Sequence, residues 1–248
     1  MCIRDRPIAD DLLSEFPLIS IIFTAFALAG VSNAFNIIDG FNGLASGVGI
    51  IVFLSYAYVS FVVGDYFLLY FNLSVASALL GFFFWNFPYG KIFLGDSGAY
   101  TIGFLAGLSG ILLINRHDQV SPWFPLLLNM YPVWETIFSI YRRKTTGYSP
   151  VDADAFHFHT LVYKRIVKQK FKILDKKIRN SLTSPYLWGL QIVSTIPSLL
   201  FWKSTVILLI FCIIFIVIYV WLYFRIVKFK TPNALHKATF RFKKLNLK

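Results

Sequence analysis

Charged residues are scarce in this sequence. They make up 15% of its 248 residues, whereas 57% are hydrophobic, and the mean hydropathy is +0.65. Soluble globular domains carry about 25% charged residues, so this scarcity excludes an ordinary soluble domain with one buried core. A large soluble protein with buried helices would need comparable polar, amphipathic faces elsewhere, and the sequence has none. The composition therefore predicts a membrane protein.

Cysteine is nearly absent, since the chain holds only Cys2 and Cys212. One lies near the N-terminus and the other within an apolar run, which excludes a disulfide framework and a thiolate metal site. A cleavable signal peptide is not predicted either, because no apolar segment directly follows the charged residues 1–6. No internal repeat or low-complexity linker divides the sequence, so we expect a single membrane domain over residues 1–248.

Acidic residues are few: 12 Asp and Glu against 24 Lys and Arg give a formal net charge of +12. Such an excess can indicate nucleic-acid binding, but 11 of the basic residues fall in 142–179 and 8 in 225–248. Basic segments beside apolar runs attract anionic lipid headgroups. We therefore expect a cytoplasmic insert at 142–185, a basic cytoplasmic tail at 225–248, contact with membrane lipid and no nucleic-acid partner.

Apolar runs, by contrast, are abundant. Most approach the roughly 20 residues that a helix needs to cross the hydrocarbon core; they cover residues 16–32, 44–63, 66–85, 99–114, 121–141, 186–201 and 204–224. If these runs alternate in direction, both basic segments share one side of the membrane with the polar loops 33–43 and 86–98. The positive-inside rule assigns that side to the cytoplasm. The predicted fold class is an all-α, polytopic transmembrane helical bundle of about seven spans with cytoplasmic polar loops.

The first polar loop holds Asn33, Asn36, Asp39, Gly40 and Gly43. An aspartate at membrane depth is costly unless it meets a cation, a donor or water. The asparagines offer uncharged donors and acceptors, and glycine lets the backbone approach a ligand closely. An interfacial loop that merely turns the chain is the alternative interpretation.

The second polar loop runs from Asn86 and places Asp96 between glycines where the next span begins. A carboxylate in such a turn is a suitable oxygen ligand for Mg²⁺, which takes only one or two protein carboxylates. Lys91 could offer a positive charge to phosphate. The alternatives are an N-cap role for Asp96 and a positive-inside anchor for Lys91.

The third element contains Asp154, His157 and His159. Their spacing of three and then two residues favours a turn or extended stretch over one helical face. The two histidines could bind phosphate, orient a nucleophile, ligate a metal or simply be solvated. Zinc is disfavoured because no further ligand stands at a zinc-like spacing. Three such elements on one membrane face predict metal-assisted chemistry on a phosphate.

These elements match, in order, the motifs of a known family. The motif residues are Asn33, Asn36, Asp39, Gly40, Gly43 and Leu44; Asn86, Pro88, Gly95, Asp96, Ser97 and Gly98; Arg142, Arg143, Gly147, Ser149 and Pro150; and Asp154, His157 and His159. Over about residues 17–225 the chain thus resembles the polyprenyl-phosphate N-acetylhexosamine-1-phosphate transferases of glycosyl transferase family 4. The Arg-Arg, Ser-Pro and His-x-His surroundings resemble the branch that initiates O-antigen more than the peptidoglycan translocase.

The resemblance implies transfer of a sugar 1-phosphate from a UDP-sugar to undecaprenyl phosphate, with release of UMP. It implies Mg²⁺ as cofactor, a role in cell-envelope polysaccharide synthesis, a place in the bacterial inner membrane with a cytoplasmic active face, and a homodimer. The implied catalytic residues are Asp39, Asp96, His157 and His159; the implied substrate-binding residues are Asn33, Asn36, Asn86, Lys91 and Asp154; the implied metal ligands are Asp96 and Asn36.

The sequence departs from the family in three places. An adjacent aspartate pair near the cytoplasmic end of an early span is missing, because Asp10-Asp11 precedes the first apolar run and falls on the other side by alternation. Ala153 replaces a proline and Thr160 a third histidine. We therefore expect that the N-terminal spans of the family fold are absent, which leaves two alternatives: a chain that is active as a transferase and an inactive fragment of one.

Two other function classes fit the apolar composition: a transporter and a non-catalytic lipid- or nucleotide-binding protein. Transporters commonly keep functional charges near the bilayer midplane. Glu135 is the one ionisable residue well within an apolar run of this sequence, and we expect it to bond to a neighbouring helix or to lie near the cytoplasmic end of its span, which disfavours transport.

Overall fold

A computed structural model describes residues 17–146 and 156–228, and every regular element in these two ranges is helical. The helices are α1 (Pro17–Ile38), α2 (Leu44–Val63), α3 (Tyr66–Asn86), α4 (Gly95–Arg116), α5 (Trp123–Leu128), α6 (Met130–Thr146), α7 (Phe158–Val162), a π-helical turn (Tyr163–Val167), α8 (Lys168–Lys170), α9 (Lys176–Ser181), α10 (Thr183–Leu200) and α11 (Thr205–Lys228). The predicted all-α polytopic membrane bundle is confirmed.

Five of these helices, α1 to α4 and α11, are long and apolar enough to cross a membrane. The prediction of one continuous span over 121–141 is wrong, because that segment is divided at Asn129 into α5 and α6. Pro132 lies in the first turn of α6, where a missing N–H costs no helical hydrogen bond. The helix predicted at 186–201 is present as α10, but buried polar side chains such as Gln191 and Ser194 lower its hydropathy.

Helix α2 forms the centre of the bundle. Of its most apolar window 61% is buried, against 11–39% for the other four spanning helices. Small residues permit this close packing: a Cβ on Gly47 would lie 2.4 Å from Nε1 of Trp188 on α10. In the same way, a Cβ on Gly103 of α4 would lie 2.6 Å from Cα of Ser32 on α1. Small side chains at helix contacts are typical of membrane bundles, where backbones approach closely.

The connections between helices gather at two opposite ends of the bundle. At one end Asp65, before α3, meets Arg116 and His117 at the end of α4. At the other end the 39–43 turn meets the 87–94 loop and helix α9. The first two polar loops of the sequence therefore lie together, as alternation predicts. That this end faces the cytoplasm stays a prediction from the positive-inside rule.

Asp65 joins the ends of α3 and α4 through charged hydrogen bonds. Its buried carboxylate accepts from the Leu68 N–H at 3.0 Å and from Arg116 Nε at 2.7 Å, and it lies 2.9 Å from Nε2 of His117. Burial alone would raise the pKa of Asp65, but the bonds from Leu68, His117 and Arg116 outweigh burial and hold this pKa below its usual value. The ionised carboxylate is therefore the form that stabilises this end.

Replacing Asp65 by alanine should lower the free energy of unfolding by about 2 kcal/mol, because the helix cap and the pairing with Arg116 are lost together. The difference in unfolding free energy between the parent and the variant should be largest at neutral pH and shrink below about pH 4. The reason is that a group with a lowered pKa stabilises the fold only where its carboxylate is ionised. Denaturant unfolding of the purified protein in detergent measures both effects. Asp118→Asn, an exposed residue beside His117 on the connection after α4, is the control and should be neutral.

Candidate functional site

The site-bearing end of the bundle is held together by hydrogen bonds between distant parts of the chain. The backbone N–H of Asn42 donates to Oδ1 of Asn180 at 2.9 Å, and Nδ2 of Asn42 donates to Oγ of Ser181 at 3.2 Å. Ser181 also donates to the carbonyl of Pro88, and Ser184 donates to the carbonyl of Asn42 at 2.6 Å. The 39–43 turn, the 87–94 loop and the start of α10 are thereby fixed relative to one another.

Asn86 fixes the two polar loops from within. Its buried side chain accepts from the backbone N–H of Gly43 and donates from Nδ2 to the carbonyl of Ile92 at 2.8 Å. Gly43 has φ +76°, and a Cβ there would lie 2.7 Å from Cδ2 of Phe87, so both its conformation and its packing require glycine. We interpret Asn86 as a positioning residue; its predicted contact with substrate stays a prediction.

Asp39 and Asp96 form a pair of interacting carboxylates. Asp39 is half-buried in the turn after α1, and Asp96 is exposed in the first turn of α4. Burial and, second, the negative charge of Asp96 raise the pKa of Asp39 to about 6. A place where a neighbouring negative charge disfavours ionisation of a carboxylate is one that a cation would stabilise.

The histidines approach the same turn from the other direction. A Cβ on Gly40 would lie 3.1 Å from Nε2 of His159, which puts this imidazole beside the residue that follows Asp39. Phe41 packs edge-on against His159 with ring centroids 5.6 Å apart. The rings of His157 and His159 stack with centroids 5.1 Å apart and an interplanar angle of 9°. The structure therefore brings His157 and His159 to the turn that carries Asp39, and the charge of Asp96 acts on that aspartate.

Glu135 positions the histidine segment, a role that sequence analysis missed. Its fully buried Oε1 accepts from the backbone N–H of Phe158 at 2.8 Å and lies 3.3 Å from Nδ1 of His157. Its Oε2 accepts from the hydroxyl of Tyr219 on α11 at 2.7 Å. Oγ of Ser139 lies 3.0 Å from the same Nδ1. The expected bond from Glu135 to a neighbouring helix is confirmed, and the carboxylate also orients His157, as acidic groups behind functional histidines commonly do.

The remaining predicted residues lie at the edge of this site or beyond the described residues. Asn33 and Asn36 are half-buried on the last turns of α1. Lys91 is exposed, with Nζ 5.1 Å from the centroid of the Trp85 ring. Asp154 lies outside the described residues.

The donor atoms fit Mg²⁺ better than a transition metal. Within residues 17–146 and 156–228, no group of three or more His, Cys, Asp or Glu is arranged to hold a metal ion, as zinc would require. Mg²⁺ needs only one or two carboxylates and fills its other positions with water, amide or phosphate oxygens. Asp96, whose charge acts on Asp39, and the amide oxygen of Asn36 would be oxygen donors of that kind.

Comparison with known proteins supports the family resemblance. Residues 5–114 match the family described as glycosyl transferase family 4. A phospho-N-acetylmuramoyl-pentapeptide-transferase of Lactobacillus helveticus is 36% identical over 143 residues, covering 56% of this chain and 42% of the relative.

Two relatives carry another sugar in their names. A probable undecaprenyl-phosphate N-acetylglucosaminyl 1-phosphate transferase of Bacillus subtilis is 33% identical over 138 residues, covering 55% of this chain and 38% of the relative. An undecaprenyl-phosphate alpha-N-acetylglucosaminyl 1-phosphate transferase of Thermotoga maritima is 30% identical over 149 residues, covering 60% of this chain and 45% of the relative.

The matched part of the chain thus spans less than half of each of these relatives. No solved structure matches the chain. The comparisons support glycosyl transferase family 4, but they include enzymes named for two different sugars. The expected assignment to the O-antigen branch therefore finds no support in them.

Glu135→Gln should destabilise the protein by about 1–3 kcal/mol, because an amide can no longer accept from both Phe158 and Tyr219. Tyr219→Phe should cost about 1 kcal/mol, and the double variant should cost less than the sum, since both changes break the same bond. Thermal unfolding in detergent measures these differences. Tyr58→Phe, on the exposed face of α2, is the control, and a Glu135→Gln protein as stable as the parent would contradict the assigned role.

Proposed function

We propose that this chain takes part in the transfer of an N-acetylhexosamine 1-phosphate from a UDP-sugar to undecaprenyl phosphate. The observation that carries the proposal is the convergence of Asp39 and the histidines His157 and His159 at the end of the bundle where the helices leave the apolar region. A lipid-borne phosphate and a soluble nucleotide sugar can meet only at such a boundary. Relatives named for transfer to undecaprenyl phosphate support the same acceptor.

The reaction joins an oxygen of the lipid phosphate to the β-phosphorus of the UDP-sugar and breaks the bond from that phosphorus to the bridging oxygen, so that UMP leaves. Phosphoryl transfer depends mainly on positioning and charge neutralisation. His157 and His159 donate hydrogen bonds to phosphate oxygens, and Glu135 keeps His157 in place. Asp39, with its pKa of about 6, is largely ionised at pH 7 and can take the last proton of a phosphate monoester, whose second pKa is about 6.

Asp96 and Asn36 would hold Mg²⁺, which when bound neutralises negative charge on the diphosphate. Lys91 lies at the exposed edge and attracts the anionic nucleotide, and Asn33 binds it from α1. The sugar is proposed to be N-acetylglucosamine or a related N-acetylhexosamine, because two relatives are named for N-acetylglucosaminyl 1-phosphate transfer. The active face is proposed to be the cytoplasmic face of the bacterial inner membrane, because the positive-inside rule favours it. A homodimer remains an expectation from the resemblance.

The central test measures Mg²⁺-dependent UMP release from UDP-N-acetylglucosamine by the purified chain with undecaprenyl phosphate in detergent. UDP-N-acetylmuramoyl-pentapeptide serves as the second donor. Asp96→Asn should lower the rate about 100-fold, because a carboxylate ligand of the proposed Mg²⁺ is lost, and with it the cation that would neutralise developing negative charge. Asp118→Asn, at the opposite end of the bundle, should leave the rate unchanged.

Binding is measured beside turnover, because the chain covers less than half of its relatives. Calorimetry should detect Mg²⁺-dependent binding of UMP by the parent and the Asp118→Asn protein, and weaker binding by Asp96→Asn. Full activity or undiminished UMP binding in Asp96→Asn would overturn the metal assignment. UDP-sugar binding without any UMP release, in this chain and in a longer product of the same locus, would favour a non-catalytic binding protein.

The carboxylate pair also predicts how Mg²⁺ binding depends on pH. A raised pKa means that the folded state holds the Asp39 proton more tightly than the unfolded state, so this stabilisation is present at low pH and lost as pH rises through about 6. Mg²⁺ should therefore raise the unfolding temperature at pH 7.5 and have much less effect at pH 5. Asp39→Asn should remove this difference between the two pH values. An equal effect of Mg²⁺ at both pH values in the parent protein would contradict the arrangement.

A further inference from the structure

A cavity of about 580 Å³ lies outside the candidate site, between the π-helical turn with α8 and the last turns of α11. Its lining residues are Arg165, Ile166, Gln169, Lys170, Trp221, Leu222, Arg225 and Ile226. Its volume is in the range of binding sites for small molecules. None of the lining residues takes part in the catalytic or metal-binding roles proposed above. A ligand bound in this cavity would therefore be distinct from the substrates of the candidate site.

The position of the cavity along α11 places it at the membrane boundary. Helix α11 is the most apolar of the five spanning helices, with a mean hydropathy of 3.1 in its best window, and its length of 24 residues suffices to cross the hydrocarbon core. Trp221 and Arg225 lie in its last two turns and are exposed. Tryptophan and arginine are enriched at this depth, where the ring remains in the apolar region and the charge reaches the headgroups.

The lining of the cavity is cationic on one part and apolar on the other. Arg165, Lys170 and Arg225 supply three positive charges, and none of the lining residues is acidic. The guanidinium of Arg225 lies over the Trp221 ring, 5.4 Å from its centroid. Its N–H donors therefore lie beside the apolar surface of that ring. Arginine forks bind phosphate through paired hydrogen bonds.

The apolar part of the lining decides between a free anion and a lipid. Ile166, Leu222 and Ile226 border the same cavity, and a soluble anion would leave this surface without a partner. An acyl chain that enters from the surrounding bilayer would cover it, with the phosphate at the three cations. Basic pockets between membrane helices are known to suit anionic lipid headgroups.

We propose that this cavity binds one anionic phospholipid of the surrounding membrane, with its headgroup phosphate at Arg165, Lys170 and Arg225. The bound lipid fastens the chain that follows the histidines: Arg165 comes six residues after His159, and α11 already contacts this segment through Tyr219 and Glu135. The lipid thus stabilises the segment that carries the histidine pair, and it does so whichever sugar the site accepts.

Native mass spectrometry of the full chain in detergent micelles tests the proposal. Dioleoylphosphatidylglycerol should remain bound as one tight equivalent, and dioleoylphosphatidylcholine should not. A triple variant, Arg165→Gln with Lys170→Gln and Arg225→Gln, should lose this equivalent, with about fivefold weaker affinity for each cation removed. The single variant Arg225→Gln, on an exposed helical surface, provides the same comparison if the triple variant does not fold.

The matched control removes three charges that do not line the cavity: Lys168→Gln with Lys172→Gln and Lys176→Gln, all exposed in the same part of the chain. It should retain the bound lipid. Equal loss in the control and the cavity variant would overturn the proposal, since general surface charge would then account for binding. Two further results would also overturn it: displacement of the lipid by millimolar inorganic phosphate, and preferential loss of undecaprenyl phosphate instead of phosphatidylglycerol in the cavity variant.

Discussion

The arrangement of the site depends on one buried carboxylate. Glu135 has no exposed surface, and an unpaired charge in such surroundings is strongly destabilising. The chain meets this constraint with the hydroxyl of Tyr219, the backbone N–H of Phe158 and the imidazole of His157. These partners come from α11 and from the N-terminus of α7. The hydrogen bonds of the Glu135 carboxylate therefore fix where the histidines lie relative to the helices.

A second constraint acts on the loops, because irregular backbone near the membrane must find its hydrogen-bond partners within the protein. Asn42, Asn86 and Ser181 meet it by bonding to backbone or side-chain groups of neighbouring connections. The amide-rich composition of the first two polar loops thus has two uses. Some of these side chains complete the backbone of the loops, and others, such as Asn36, serve the metal site proposed above.

Sequence reasoning was most successful where one property decided the structure. Continuous apolar character predicted 44–63 and 66–85, and the structure has Leu44–Val63 and Tyr66–Asn86. The 121–141 run failed because hydropathy does not register the break at Asn129, whose amide bonds to the Tyr56 hydroxyl and the Pro125 carbonyl. Alternation of the spans correctly placed the first two polar loops together. The role of Glu135 was missed because Tyr219 is 84 residues away, a separation that leaves no local pattern.

The Asp65 cluster has a mechanical consequence for the opposite end of the bundle. Helices α3 and α4 touch each other little along their length, yet Asp65 and Arg116 tie their far ends together. The two helices are therefore joined at this end by an ion pair. Asn86 and Asp96 stand at the opposite ends of these two helices, where Asn86 bonds to Gly43 and Ile92, so the spacing of α3 and α4 is set at both ends and not along their length.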